Sequence, residues 1–250
     1  MLIERTEHPD WLSNAYLVAD RPGGHGVLVD SNGIVQPLHD AVARHGITIT
    51  HVLVTHQHQD HVVTSRADAD RYGVPLLAHP LTARAVEGVD ETFADGDVIR
   101  SGDLDLAILH TPGHCPDHCS ILAGGTDCLT ADVLFRGTVG GTMNGGPTGY
   151  EDIRRSIMDR LMALPPATRI HPGHCAPSTI GEEWESNPFV RLWRGLDAPG
   201  DEPCDVMGEP ATLLLWAPDY DGGNKALVRF GDGRESIVGG SRVRLGFDRT

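Results

Sequence analysis

The chain has 250 residues, 40% hydrophobic and 22% charged, the balance of a folded protein with a sizeable core, long enough for one large domain or a large and a small one. Lys and Arg total 20 against 35 Asp and Glu, a formal charge of −15, and no basic run interrupts the acidity, so nucleic acid is set aside as a partner. No apolar run reaches the ~18 residues of a membrane helix, and the first residues show no basic-then-apolar leader, so neither a membrane nor export is expected.

Residues 14–19 and 26–30 are short β-rich runs separated by Arg21-Pro22-Gly23-Gly24, the pattern of a hairpin. Val35, Leu38 and Val42 carry helical spacing over 35–45, and the β-branched run 47–54 reads as a buried strand. The alternation goes on with a helix near 62–72, a strand at 75–78 and a helix near 80–87 opened by Pro80. Strands are expected at 97–100, 104–110, 119–123 and 127–130, then a long helix over about 150–163 with Ile153, Ile157, Leu161 and Leu164 on one face, ended by Pro165-Pro166. This is an α/β layered architecture. Residues 197–203 are rich in Pro, Gly and acids and read as a linker, which divides the chain into a domain over 1–200 and a module over 206–250. The module has short strand-like runs and an Asp232-Gly233 turn, and reads as a small β-barrel or β-meander packed on the main domain.

Directly after the strand ending at Val54 comes Thr55-His56-Gln57-His58-Gln59-Asp60-His61, with four potential metal ligands in six residues. A loop leaving the C-terminal edge of a strand is where an open α/β sheet places its site, and imidazole with carboxylate suits zinc, iron or manganese. His56 and His58, two apart in extended backbone, point the same way. His114, Asp132 and His174 follow downstream, each at a strand end or in the tight turn after it.

These motifs resemble the metallo-β-lactamase superfamily, and within it the glyoxalase II-like hydrolases. The resemblance covers about residues 12–192 and rests on His56 to His61, Thr111-Pro112-Gly113-His114, Ala131-Asp132, Pro172-Gly173-His174 and the stretches around Thr179-Ile180-Gly181-Glu182-Glu183 and Asn187-Pro188-Phe189. It implies an αββα sandwich of two mixed sheets flanked by helices. It also implies that His56, His58 and His114 bind one divalent ion, that Asp60, His61 and His174 bind a second, and that Asp132 bridges them. Zinc is the first choice of ion, with iron or manganese as alternatives. A hydroxide bridging two such ions would attack an activated carbonyl of a small-molecule substrate, a thioester first, with Asp60 as a proton shuttle. Asp30 resembles the family's supporting acid, orienting a ligand through a hydrogen bond.

The chain departs from the family at Ala131, where Gly is usual and the change reads as minor, and at Cys115 and Asp117, where relatives carry Thr and Gly. Residues 139–146 replace a segment holding Gly-Arg and an acid, and the β module stands where glyoxalase II has a helical glutathione-contacting domain. Arg136, Met143 and Asn144 are candidate substrate contacts. Lactones and β-lactams are alternative substrates, and a mononuclear iron persulfide dioxygenase or a metal-containing docking protein are alternative functions. Pro172-Gly173-His174-Cys175 departs from the Pro-Ala-His-Asp of the dioxygenases. Five cysteines in unpaired spacing read as reduced thiols of a cytoplasmic protein, and the module is a possible homodimer surface. His118 and His171 flank ligands; the other histidines read as surface or locally bonded groups.

Overall fold

Two mixed six-stranded sheets face each other and put the strand ends that matter at one edge. The structure is a computed structural model describing residues 1–143 and 146–246. The first sheet runs in the order β1 (Leu2–Glu7), β2 (Asn14–Ala19), β3 (His25–Val29), β4 (Thr48–Val54), β5 (Leu76–Ala78) and β6 (Glu91–Thr92), antiparallel over β1 to β3 and parallel from β3 onward. The parallel half requires crossovers, supplied by α1 (Gln36–His45), then α2 (Gln59–Val62) and α3 (Ser65–Tyr72), then α4 (Thr82–Ala85). The second sheet holds β7 (Val98–Ser101), β8 (Leu104–His110), β9 (Cys119–Ala123) and β10 (Asp127–Ala131). After a small hairpin of β11 (Leu134–Phe135) and β12 (Thr138–Val139), β13 (Arg169–Pro172) pairs parallel with β10 and β14 (Ser178–Thr179) closes the edge.

Alternation along the strands explains the layering. Leu17 and Leu28 turn outward to Leu38, Ala41 and Val42 of α1, while Val18, Val27 and Leu53 turn inward to Leu106, Ile108 and Ile121. On the far face of the second sheet lie α5 (Tyr150–Arg155), α6 (Ile180–Ser186) and α7 (Pro188–Trp193), contributing Ile153, Ile180 and Phe189 to a third core. The result is the αββα sandwich expected from the sequence.

The local differences have physical reasons. The helix expected over 62–72 is two pieces, because Thr64 breaks the run and opens α3. The one expected near 80–87 shrinks to α4, with Val86 already extended. The helix expected over 150–163 is α-helical only to Arg155 and continues as a π-helical turn over Ser156–Leu161, with Met162 N–H donating to Ile157 C=O at 2.8 Å. That turn keeps Ile153, Ile157 and Leu161 buried together. β1, whose one buried residue is the polar Thr6, carries too little apolar pattern to be read from sequence.

Past α7, five antiparallel strands form a separate sheet in the order β18-β17-β16-β15-β19: β15 (Glu202–Val206), β16 (Glu209–Pro218), β17 (Asn224–Phe230), β18 (Glu235–Gly239) and β19 (Val243–Leu245). The stretch read as a linker thus ends inside β15, where Cys204 and Val206 alternate with Asp205. Leu214, Ala217, Leu227 and Ile237 on this sheet share one core with Val133, Ile153 and Ile157. Cys204, Val206, Ala226, Val228 and Phe230 form a second, smaller core. A core common to both units predicts one cooperative unfolding transition. Replacing Leu227, 1% exposed, by Ala should lower stability by about 2–5 kcal/mol and move the far-UV circular dichroism and tryptophan fluorescence transitions together in a denaturant melt; a separate early transition would show that the sheet is only an appendage.

Candidate metal centre

The edge where β4, β10 and β13 end gathers His56, His58, Asp60, His61, His114, Asp132 and His174. Ligating atoms of His56, His58, His114 and Asp132 lie within 4.8 Å of one another, as do those of Asp60, His61 and His174. Asp132 sits between the groups, with its carboxylate 3.5 Å from His114 Nε2, 3.4 Å from His61 Nε2 and 3.3 Å from His174 Nε2. A third grouping, Asp30, His56 and His61, overlaps these.

Short loops make this convergence possible. His58 is extended and α2 starts at once, so Asp60 and His61 turn back across the strand end. Gly173 lies so close beneath the carboxylate that a Cβ there would stand 2.1 Å from Asp132 Oδ1. Gly113, at φ 136°, passes the start of the α5 backbone where a Cβ would be 2.4 Å from Ile153 Cα. Ala131 adopts a φ of +40°, the left-handed region that costs an L residue about 1 kcal/mol. The change from the family's glycine is therefore strained, not minor.

Each loop is held from outside. Asp30 accepts from Thr55 N–H at 2.8 Å and Thr55 Oγ1 at 2.7 Å, and its Oδ2 lies 3.2 Å from His61 Nδ1. Asp117 Oδ2 accepts from Gln57 N–H at 2.8 Å and from Thr82 Oγ1 at 2.7 Å, fixing the loop between His56 and His58. His118 Nε2 accepts from Asp132 N–H at 3.0 Å, which leaves its Nδ1 proton for Thr111 Oγ1 at 2.9 Å. Asn14 and Tyr16 donate to Pro172 C=O at 2.8 and 2.6 Å, steadying the turn into His174. Asp117 and His118 follow His114 by three and four positions and carry no ligand spacing, so only the fold reveals these roles. His171 instead pairs with Asp127 at 2.8 Å, outside the cluster.

Electrostatics at the centre are those of ligands removed from water. Burial holds His56 well below the ordinary histidine range, His114 at about 4 and His118 at about 3, keeping these rings neutral. At His61 burial also opposes charge, yet Asp132 and Asp30 outweigh it and raise the ring well above its usual value. Asp132 is held well below the usual carboxylate range because His174 and His61 outweigh its burial. Burial pushes the Cys115 and Cys119 thiols up, which favours small apolar roles over thiolate ligation. The inward atoms His56 Nε2, His61 Nε2 and Asp132 Oδ1 are buried with no hydrogen-bond partner. Buried polar atoms are normally paired, so this set of nitrogen and oxygen donors fits divalent cations.

The candidate substrate contacts are dispersed. Arg136 is exposed and lines a cleft with Gly137, Ser178, Glu182, Glu183 and Ser186, none of them in the cluster. Met143, 40% exposed, borders a cavity of about 730 Å³ between the start of α5 and the β17–β18 hairpin. Asn144 lies outside the described residues. Sequence reading missed Tyr220 in the turn between β16 and β17, whose ring stacks on His174 with centroids 4.4 Å apart. Its phenol is raised above the ordinary tyrosine value by burial first and then by Asp132. No spacing in the chain ties residue 220 to a ligand at 174.

A sandwich of two mixed sheets with an His/Asp cluster at one edge defines a protein built to hold divalent metal. The sequence profile of the metallo-beta-lactamase superfamily matches residues 8–174, and the chain belongs to that superfamily. A hydroxyacylglutathione hydrolase of Mesorhizobium japonicum is 30% identical over 239 residues, covering 77% of this chain and 90% of the relative. An uncharacterized protein of Mycobacterium leprae is 36% identical over 203 residues, covering 71% and 93%. Among solved structures, TTHA1623 in a di-iron-bound form is 30% identical with a TM-score of 0.61, covering 74% of this chain and 99% of the other. No described helix is long and apolar enough to cross a membrane.

Asp30 makes its own test. Asp30→Ala frees Thr55 and the outer nitrogen of His61, and should weaken divalent-metal affinity by about 10- to 100-fold in chelator competition. Unchanged affinity would remove Asp30 from the centre.

Proposed function

We propose that the chain is a metal-dependent hydrolase with two ions, acting on an activated carbonyl, first of all a thioester. The observation that carries this reading is the convergence of seven donor side chains around buried, unpartnered atoms of His56, His61 and Asp132. His56, His58 and His114 would hold one ion, Asp60, His61 and His174 the other, with Asp132 shared. Zinc is our first choice; the di-iron form of a relative keeps iron in view. When bound, two divalent ions supply a water acidic enough to ionise near neutral pH and an electrophilic partner for a carbonyl oxygen.

The protein's own groups do the rest. Thr55, Asp30 and the Gly141 carbonyl orient His56, His61 and His114 from outside, with Gly141 C=O accepting from His114 Nδ1 at 2.9 Å. Asp60 is the most accessible carboxylate of the cluster, with 24% of its side chain exposed against 7% for Asp132. Its Oδ2 can therefore pass a proton between the buried centre and solvent. On the inner side, the buried rings of Phe135 and His118 pack against His174 and His56, with centroids 5.7 and 5.2 Å apart. Thioester choice is supported by the hydroxyacylglutathione hydrolase relative, whose name specifies an acyl-glutathione substrate. The free thiols of Cys115, Cys119, Cys128 and Cys175 suit a reducing compartment, and we place the protein in the cytoplasm.

Elemental analysis should find two divalent ions per chain, and a panel of small thioesters, lactones and β-lactams should be turned over with thioesters preferred. His58→Ala should cut thioester kcat/KM by about 100-fold or more. Full activity in that variant, or oxygen uptake with a persulfide and no thioester turnover, overturns the reading.

A further inference from the structure

Three of the clustered imidazoles have the outward ring nitrogen fixed by a hydrogen-bonding neighbour. His56 Nδ1 lies 3.0 Å from Thr55 Oγ1, His61 Nδ1 3.2 Å from Asp30 Oδ2 and His114 Nδ1 2.9 Å from Gly141 C=O. Such outer bonds normally set the tautomer and angle of a metal-binding histidine. His174 differs. Its Nε2 faces Asp60 at 3.6 Å and Asp132 at 3.3 Å, but its Nδ1 is buried with no partner among the described residues.

What holds this ring is aromatic. Tyr220 lies nearly parallel to it, at 13°, and Phe135 meets its edge at 84° with centroids 5.7 Å apart. Phe135 and Tyr220 touch each other at 5.1 Å, which closes a three-ring cluster. The turn that presents Tyr220 is itself pinned. Asp219 accepts from Tyr220 N–H at 2.9 Å and pairs with Lys225 at 3.0 Å, with both charged side chains under 10% exposed. The Lys225 ammonium lies 5.4 Å from the Tyr220 ring centre.

We propose that Tyr220 is a positioning residue for His174, doing by ring stacking what a hydrogen bond does at His56, His61 and His114, so that filling of the Asp60–His61–His174 subsite depends on the C-terminal sheet. The inference rests on the two-ion reading above and adds to it a role for a residue from outside the region that matches the superfamily.

The test is calorimetric titration of the metal-free protein with Co²⁺, followed in parallel by visible absorption. Wild type should take up two ions. Tyr220→Ala should weaken one step about tenfold, the size of a lost aromatic contact, and leave the other unchanged, while Tyr220→Phe, which keeps the ring, should behave as wild type. Trp216→Ala, on β16 of the same sheet, controls for general loosening and should leave both steps unchanged. The inference falls if Tyr220→Ala matches wild type, if Tyr220→Phe fails as the alanine variant does, or if Trp216→Ala reproduces the loss. A single ion in wild type instead overturns the two-ion reading itself, and this inference with it.

Discussion

Everything at the strand edge answers to one constraint: a carboxylate, Asp132, is buried among imidazoles where water cannot solvate it. An isolated charge in such a place costs several kcal/mol, so it persists only where opposite charge or a metal is guaranteed. The surroundings supply that guarantee in two tiers. The imidazole nitrogens point inward, and a second set of groups, Asp30, Asp117, His118 and Gly141 C=O, locks the loops that carry them. Gly173 is bare of a side chain because the carboxylate occupies that space.

The sandwich behind the site is what makes such fixing possible. Parallel pairing of β3 with β4 and of β10 with β13 brings chain-distant strand ends to the same edge, so residues about 120 positions apart in sequence converge without a long flexible loop. Helices cover the outer faces, and the inner faces bury nearly continuous apolar surface. The C-terminal sheet completes the arrangement from outside the sandwich. It shares a core with the second sheet's helices and places Tyr220 against the centre.

Much of this was legible from residue order. The run from His56 to His61 after a β-branched strand, and the Gly and Pro turns before His114 and His174, locate the seven donors because ligands and tight turns leave local signatures. Strand and helix periodicity gives an α/β layered architecture, and the resemblance to the superfamily narrows it to the αββα sandwich. What was not legible depends on tertiary approach. Tyr220 meets His174 through a turn of another sheet, His118 acts through the backbone N–H of Asp132, and Asp117 through that of Gln57. β15 was hidden because Pro203 and two acids imitate a linker, although Pro203 stands near the strand's start, where a missing N–H is tolerated. The strain at Ala131 is a φ value, which no composition reports.

The Lys225 pair carries a last consequence for how the molecule meets its chemical surroundings. It is the chain's single lysine, and its ammonium is engaged with Asp219 and covered by aromatic rings. All other cationic side chains are guanidinium or imidazole groups, which do not form amides or Schiff bases as an amine does. The folded protein therefore offers acylating and carbonyl reagents no free lysine amine. Under the thioester reading proposed above, a reactive acyl group released from the centre would find no free lysine to acylate on the protein that released it.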